Sequence, residues 1–542
     1  MKTPAALEMA ATDYGPQAGA RHAVPLTFRA AWPYWLMPAL LALVLTLIFL
    51  NPFIGDWDGL DYTVLSVRGY PSSMALGRSL FIFFNHALYR LGHSLFWVPA
   101  ADAYLIFKYA VVLQSPLAVI ACWTLARDLT KSVHVATASA MLVAVSPVFV
   151  LYSGQVMTDV PSVLLVALAL TVYLRGAQQR KLWLLFAGAV LFGAGVNVRE
   201  TTAFYAPWLI VAPMICGWHW KRRDLAIITA VVVVFILVAL SGFGFWYLSD
   251  PVYRMSWHIW LASMHDEAAL HPVTLRSALP FVVFFFLTAP LVFVALPAAA
   301  WKEWRAYSFS PLLACAAVGL LSNLLLIFNY STAVNWRYFL TGLPALAPLL
   351  GSYFVRYETE RLGSARRGFA VAILGPLLIT AILGLLVRPA SSDHFNKLSV
   401  AKDYITRLSL LPRDAVVMAG SQTVAVTYWH GVGAGEWDVI GIGGGWPGAQ
   451  LESVIETHLH KGRRVFLDAD PHLWLPCGWR ANELPTLVGL QSRFHFQRVS
   501  ETIFEIKGSH DASAHDQPQL ERLLPEYRPA DVKKCFSVGK TN

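Results

Sequence analysis

Two groups of acidic residues follow long apolar segments and contain the side chains best placed to carry chemistry. Asp56, Asp58 and Asp61 come directly after an apolar segment, and Asp159 lies in a second short loop between apolar segments. Ionisable residues at membrane depth are costly to keep and usually serve a function. Two carboxylates brought together from separate loops could act as a general base and as an orienting group or metal ligand.

Simpler interpretations of the same acids remain open. Asp56, Asp58 and Asp61 could only end an apolar segment in water. Asp159, two residues before Pro161, could cap the start of a helix. A helix cap and a ligand role are compatible, so Asp159 stays a candidate for holding a divalent cation.

Three cations beside or within apolar segments are candidates for binding a phosphate. Arg199 and Arg337 adjoin such segments, and Lys108 lies inside one. The guanidinium fork matches phosphate geometry. Arg199 could instead pair with Glu200, and Lys108 could reach the interface with its long side chain. His86 and His93 share a helix face, but without a third ligand they are interpreted as interfacial histidines.

The composition predicts a membrane protein in which these residues sit. Hydrophobic residues make up 56% of the 542 and charged residues 14%, against about 25% in soluble domains, and the mean hydropathy is +0.52. This excludes a soluble globular chain, a disordered chain and a secreted disulfide scaffold. Residues 388–542 carry 17 basic and 17 acidic residues, so the net charge of +9 belongs to the membrane-flanking part. That distribution indicates topology and not nucleic-acid binding.

Eleven apolar segments approach the roughly 20 residues that cross a bilayer. They are 33–54, 103–126, 133–152, 157–174, 182–198, 201–217, 225–248, 278–300, 311–329, 338–355 and 368–387. Alternate short connections contain 17 basic residues, which places the N-terminus in the cytoplasm and residues 388–542 outside. A twelfth span at 79–98 would reverse this pattern, so that segment is predicted to be an amphipathic helix in the outer interface.

The expected domains are a cytoplasmic segment over 1–32, a transmembrane domain over 33–387, an α/β domain over 388–507 and a polar tail over 508–542. Apolar strands alternate with helical patterns in the third, which favours a mostly parallel sheet. Cys477 and Cys535 could form a disulfide in an oxidising compartment or be two unrelated thiols.

The acidic loops and a late arginine resemble motifs of one family. Asp58-Gly59-Leu60-Asp61-Tyr62 resembles the Asp-Glu-x-x-Tyr motif of the polyprenyl-phosphate-dependent glycosyltransferases of the GT-C fold, with Gly59 in place of Glu. That family includes protein O-mannosyltransferases and bacterial lipid A aminoarabinose transferases. Thr158-Asp159-Val160-Pro161 resembles its acidic motif before the fourth span. Arg337-Tyr338-Phe339-Leu340 resembles its Arg-Tyr segment, and the resemblance covers roughly residues 33–355.

The resemblance implies a polytopic α-helical membrane enzyme with a sugar on a polyprenyl phosphate as donor. An acceptor hydroxyl would lose its proton to Asp58 and attack the anomeric carbon, with inversion. Arg337, Arg199, Lys108 and Tyr338 would hold the donor phosphate. Asp159 would orient the acceptor or hold a divalent cation. The missing Glu leaves open whether Asp56 or Asp58 is the base, and it weakens a metal assignment.

Two other classes of function remain open. A lipid or polysaccharide transporter or flippase would show two related halves and charges near the bilayer midplane. A non-catalytic envelope assembly factor would act through its outer domain. The predicted partners are the lipid-linked sugar, membrane lipid and an extracytoplasmic glycan, lipid or protein acceptor, with no nucleic acid. The predicted location is the inner membrane with a periplasmic C-terminal domain.

Overall fold

The computed structural model describes most of the helical region and part of the C-terminal domain. The described residues are 32–51, 53–54, 57–219, 221–270, 290–307, 310–329, 336–357, 362–387, 410–412, 414–420, 438–442, 448–469 and 489–509. Asp56, Cys477 and Cys535 lie outside them. The predictions for these residues therefore stay predictions.

The first part of the helical region contains nine described helices. They are α1 (Trp32–Ile48), α2 (Trp57–Arg68), α3 (Ser79–Phe96), α4 (Ala103–Thr130), α5 (Val133–Ala144), α6 (Pro147–Ser153), α7 (Asp159–Gln179), α8 (Leu182–Val198) and α9 (Trp208–Ile215). A 3₁₀ turn over Glu200–Tyr205 joins α8 to α9.

The second part of the helical region contains six described helices. They are α10 (Arg222–Ser249), α11 (Pro251–Leu270), α12 (Pro290–Ala306), α13 (Pro311–Asn329), α14 (Leu343–Ser352) and α15 (Leu362–Ala381). A 3₁₀ turn over Trp336–Gly342 leads into α14, and a π-helical turn over Tyr353–Tyr357 follows it.

Four helical stretches of the described chain are long and apolar enough to cross a bilayer. They are Ala100–Thr130, Asp159–Gln179, Arg222–Ser249 and Arg337–Arg356. The pair α5 and α6, bent by 63°, would make a fifth, and shorter apolar helices occur over Trp32–Ile48, Leu182–Val198, Pro311–Ser322 and Ala370–Leu386. Each of the eleven predicted segments overlaps a helix. The polytopic membrane class is therefore confirmed, whereas the count of eleven crossings stays a prediction.

The helix expected over 79–98 is present as α3, and its two sides differ in how far their apolar side chains are exposed. Phe81 and Ile82 are buried against the protein, while Leu95, Phe96 and Trp97 near its C-terminal end are largely exposed. An exposed apolar side on a polar-containing helix is typical of an interfacial helix. Its placement in the outer interface stays a prediction.

The core around the functional residues is built on α7, which packs against α4 and α8. Small residues allow these helices to approach closely, as is common in membrane proteins. A Cβ at Gly188 of α8 would lie 2.7 Å from the Cβ of Tyr173 in α7. Both Asp159, in the first turn of α7, and Asn197, in the last turn of α8, are buried by this packing.

The C-terminal part contains a five-stranded sheet of order β2-β1-β3-β5-β4. Its elements are β1 (Val416–Gly420), β2 (Asp438–Ile442), α16 (Gly448–His460), β3 (Val465–Asp468), β4 (Phe494–Arg498) and β5 (Ile503–Ser509). The predicted strands β1, β2 and β3 pair in parallel. The expected parallel character covers only this half, because β5 and β4 pair antiparallel. Since β5 ends at Ser509, the start of the predicted tail at 508 falls inside a strand.

Candidate active site

The two acidic loops predicted to meet are joined by a backbone hydrogen bond. The amide of Val156, in the loop before α7, donates to the carbonyl of Ile54, in the link between α1 and α2, at 3.1 Å. This bond places the N-terminus of α2 beside the N-terminus of α7. Asp58 and Asp159 lie in the first turns of these helices, where the helix dipole favours a negative charge.

Gly59 is required by the close approach of these two loops. A Cβ at this position would lie 2.8 Å from the carbonyl oxygen of Val156 and 3.0 Å from the side chain of Ile54. A glutamate at the second position of the motif, as in the family that the sequence resembles, would need α2 to move away from the loop. The glycine therefore follows from local packing in this chain.

Asp58 is bound by two arginines from distant parts of the chain. Arg337 donates from Nη2 to Oδ2 of Asp58 at 2.7 Å, and Nη1 of Arg78 lies 3.6 Å from the same oxygen. The hydroxyl of Tyr62, one turn further along α2, donates to Asp58 at 3.4 Å. Burial alone would raise the pKa of Asp58, but Arg337 and Arg78 outweigh it and hold that pKa below its ordinary value.

Arg78 connects the Asp58–Arg337 pair to a further acid, Glu200. Its Nε and Nη2 donate to the two carboxylate oxygens of Glu200 at 3.2 and 3.1 Å, in the bidentate arrangement that arginine favours. Arg78 precedes α3 with a left-handed backbone (φ 46°), which is uncommon for a residue other than glycine. Strained backbone of this kind tends to occur at functional sites.

Arg199 and Asp159 form the most buried ion pair of the site. Their Nη1 and Oδ1 atoms are 2.5 Å apart, and their side chains are 2% and 1% exposed. Arg199 also donates to the hydroxyl of Thr158 at 3.3 Å. Its Nε is a buried donor with no hydrogen-bond partner among the described residues. An available N–H on a buried guanidinium is a group that an incoming oxyanion could use.

The ring of Tyr338 contacts one arginine from each of the two ion pairs, Asp58–Arg337 and Asp159–Arg199. The guanidinium carbons of Arg199 and Arg337 lie 5.3 and 5.4 Å from its centroid, within the range of a cation–π contact. The site thus contains three arginines and, with Asp61 one turn after Asp58, four acidic side chains. All of the described members of this network are buried or partly buried.

The network brings together most of the side chains predicted from the sequence. Asp58, Asp159, Arg199, Arg337 and Tyr338 all belong to it. Lys108 does not join it. Its Nζ donates to the carbonyls of Asn51 and Phe53 at 3.0 and 3.2 Å, and so it holds the link between α1 and α2.

Sequence reasoning missed Arg78 and the role of Glu200. Arg78 carries the same signal as Arg337, a cation in a predicted outer loop where cations are few. Glu200 pairs with Arg78 and not with its neighbour Arg199, which pairs with Asp159. His86 and His93 each contact a backbone carbonyl, of Ser66 and Val98, and the interfacial interpretation of both stays a prediction.

The described residues do not fit a divalent cation well. They contain no group of three or more His, Cys, Asp or Glu side chains arranged to hold a metal ion. Asp58 and Asp159 are each directed at an arginine. These two carboxylates therefore act as partners of arginines.

Comparison with known proteins gives a family match to part of the chain. Residues 84–246 match the family model described as dolichyl-phosphate-mannose-protein mannosyltransferase. This segment contains Asp159 and Arg199 but not Asp58 or Arg337. No curated protein matches the chain by sequence.

Solved structures match the fold over nearly the whole chain. ArnT from Cupriavidus metallidurans bound to undecaprenyl phosphate superposes with a TM-score of 0.54 at 13% identity, covering 90% of this chain and 100% of ArnT. The apo state of ArnT gives 0.53 at 13% identity, covering 88% and 98%. The arabinofuranosyltransferase AftD from Mycobacteria gives 0.48 at 17% identity, covering 81% of this chain and 35% of AftD. The chain therefore shares the fold of ArnT, and the predicted resemblance to the GT-C polyprenyl-phosphate-dependent glycosyltransferases is confirmed.

Proposed function

We propose that this chain is an integral membrane glycosyltransferase. It transfers a sugar from a polyprenyl phosphate to an extracytoplasmic acceptor, with inversion at the anomeric carbon. The observation that carries the proposal is the buried network in which Asp58 meets Arg337 and Asp159 meets Arg199 around Tyr338. The fold shared with ArnT, whose structure contains undecaprenyl phosphate, supports a polyprenyl phosphate as the donor carrier.

The arginines suit the leaving group of such a reaction. A sugar attached to a polyprenyl phosphate leaves behind a phosphate monoester that carries more negative charge than the donor. Donors fixed in a buried site stabilise charge that develops in the transition state. Arg337 and Arg199 both contact the ring of Tyr338, and the Nε of Arg199 has no described partner, so this pair is the proposed phosphate site.

The acids suit the other half of the reaction. The acceptor hydroxyl attacks the anomeric carbon from the face opposite the phosphate, which inverts the configuration. A carboxylate at the start of α2 takes the hydroxyl proton. The sequence proposed Asp56 or Asp58 for this role, and only Asp58 of the two lies among the described residues. Asp159 holds Arg199 in place. We propose an inner-membrane location with the site on the extracytoplasmic side and the N-terminus in the cytoplasm.

The test compares cell-envelope glycans made with and without an intact site. Asp58→Asn and Asp159→Asn each leave an arginine without its buried carboxylate, and we expect either change to remove most of the glycan product, by about 100-fold or more. The matched control is Asp128→Asn, which breaks the Asp128–Arg175 pair outside the site. Mass analysis of the glycans and immunoblots for the protein level provide the measurements.

The outcomes separate a glycosyltransferase from a flippase. Loss of product at normal protein level, with the control unaffected, supports a glycosyltransferase. Full product from both site variants would overturn the proposal. A lipid-linked sugar that accumulates on the cytoplasmic side and is missing outside would instead indicate a flippase.

A further inference from the structure

The two carboxylates on the first turns of α2 have different surroundings. Asp58 accepts hydrogen bonds from Arg337 and Tyr62, and Arg78 lies 3.6 Å away. Asp61 comes one turn later, on the same side of the helix, since residues three apart are neighbours there. It is partly exposed and forms no ion pair with any residue that the structure describes. One carboxylate is therefore committed to arginines, and the other is not.

We propose that Asp61 accepts the proton of the acceptor hydroxyl, while Asp58 acts as a positioning residue that holds Arg337 and Arg78. The proposal rests on the glycosyltransferase function proposed above and assigns the base within it. It replaces Asp58 in that role because a carboxylate fixed by two guanidinium groups has little affinity for a proton. The positioning role of Asp58 agrees with its contacts, since its Oδ2 atom contacts both Arg78 and Arg337.

The step balances without any co-reactant. A lone pair of the acceptor oxygen forms the bond to the anomeric carbon as the bond from that carbon to the phosphate oxygen breaks. The electron pair of the broken bond leaves on the polyprenyl phosphate, whose new charge faces Arg337 and Arg199. The hydroxyl proton moves to the carboxylate of Asp61 and is released to water after the product leaves.

The electrostatic surroundings agree with this assignment. Burial and the neighbouring Asp58 carboxylate raise the pKa of Asp61 to about 7, against the opposing effects of Arg78 and Ser72. A general base works best when its pKa is near the operating pH. Asp61 must be ionised to accept a proton, so transfer should be fastest above pH 7 and fall as the pH drops through that value.

Other ionisable groups face α2 and must be distinguished from Asp61. Asp58 lies on the same helix, and Arg78 and Arg337 face its first turns. His86 of α3 contacts the last turn of α2 through the carbonyl of Ser66, and Lys108 of α4 holds the link before it. Imidazoles ionise in the same pH range as the expected base. The variant His86→Asn is therefore the necessary control.

The experiment uses the purified full-length protein in lipid nanodiscs. The donors are undecaprenyl phosphates carrying glucose, mannose, galactose or arabinose, the acceptor is a cell-envelope extract, and the readout is the release of undecaprenyl phosphate by mass spectrometry. Asp61→Asn should lower kcat by roughly 10²- to 10⁴-fold, the usual contribution of a general base. Its dissociation constant for undecaprenyl phosphate should stay within about threefold of the wild type, because ground-state binding is retained.

Three results test the assignment further. The fall in kcat/KM below pH 7 should be present in the wild type and in His86→Asn, and missing from the residual activity of Asp61→Asn. Asp61→Glu, which restores a carboxylate, should recover part of the lost rate. Wild-type kcat in Asp61→Asn, or the same acid limb in that variant, would overturn the proposal. If the wild type releases undecaprenyl phosphate from no donor, the proposed function itself fails, and the assignment of Asp61 with it.

Discussion

At the residue scale, the site depends on a glycine as much as on its charged groups. Gly59 occupies the position where the related motif has a glutamate. The carbonyl oxygen of Val156 lies 2.8 Å from the place that a Cβ atom would take at this position. The acid that the motif lacks has a counterpart elsewhere in the network, because Glu200 binds Arg78 through both carboxylate oxygens. Glu200 therefore supplies an acid to the network from a different part of the chain.

Gly59→Ala should destabilise the protein by about 1–3 kcal/mol, because the added Cβ meets a backbone oxygen that cannot rotate away. The measurement is the thermal midpoint of unfolding in detergent, together with glycan product. Gly244→Ala in α10 is the matched control. Nothing lies within 4 Å of a Cβ at Gly244, so the helix should be unaffected or stabilised by up to about 1 kcal/mol. Equal midpoints for the two variants would show that α2 can move away from Val156.

At the scale of elements, hydrogen bonds from α4 and from the loop before α7 hold the link between α1 and α2 in place. Lys108 of α4 donates to the carbonyls of Asn51 and Phe53, and Val156 donates to Ile54. The side chain of Asn51 also accepts from the amide of Phe53 at 3.0 Å. These bonds satisfy backbone groups just after α1, which would otherwise be costly to bury. The position of Asp58 therefore depends on a lysine that lies in another helix.

Lys108→Met should lower kcat by about tenfold or more and leave the affinity for undecaprenyl phosphate unchanged, because it releases the link and removes no phosphate ligand. Turnover and binding of undecaprenyl phosphate are measured on the same preparation. Lys221→Met, at an exposed position before α10, is the control. A large loss of affinity in Lys108→Met would instead support the direct phosphate role that the sequence suggested.

At the scale of the whole molecule, the direction of the helices decides on which side of the membrane the site opens. The proposed orientation places the end of α3 outside and the loop between α7 and α8 in the cytoplasm. It rests on the unequal distribution of basic residues between alternate loops. Between these two regions lie α4, the bent pair α5 and α6, and α7, and three crossings by them would put the regions on opposite sides of the bilayer.

Single cysteines at exposed positions test the orientation. Ser94→Cys, near the end of α3, should react with a membrane-impermeant maleimide on intact cells. Gln179→Cys, at the end of α7, should react only after the cells are permeabilised. Both positions are exposed in the structure, and the parent protein gives the background from its own cysteines. The reverse pattern of labelling would place the proposed site in the cytoplasm.

The sequence by itself determined the apolar helices, the amphipathic α3, the parallel strands β1 to β3 and the positions of the main acids and arginines. These features depend on local periodicity and on charges near apolar segments, which one sequence displays. It did not determine the partners, because Asp58 and Arg337 are 279 residues apart and Arg78 and Glu200 are 122 apart. Glu200 lies next to Arg199 in the chain, yet Arg199 binds Asp159.

Only the tertiary structure decided these pairings, since charges of one sign are interchangeable in a sequence until packing fixes their distances. The close approach of α2 to the loop before α7 decided that residue 59 is a glycine. The meeting of α4 with the end of α1 directed Lys108 to carbonyl oxygens. The arginines around Asp58 and the lack of a described ion pair at Asp61 distinguish these two carboxylates.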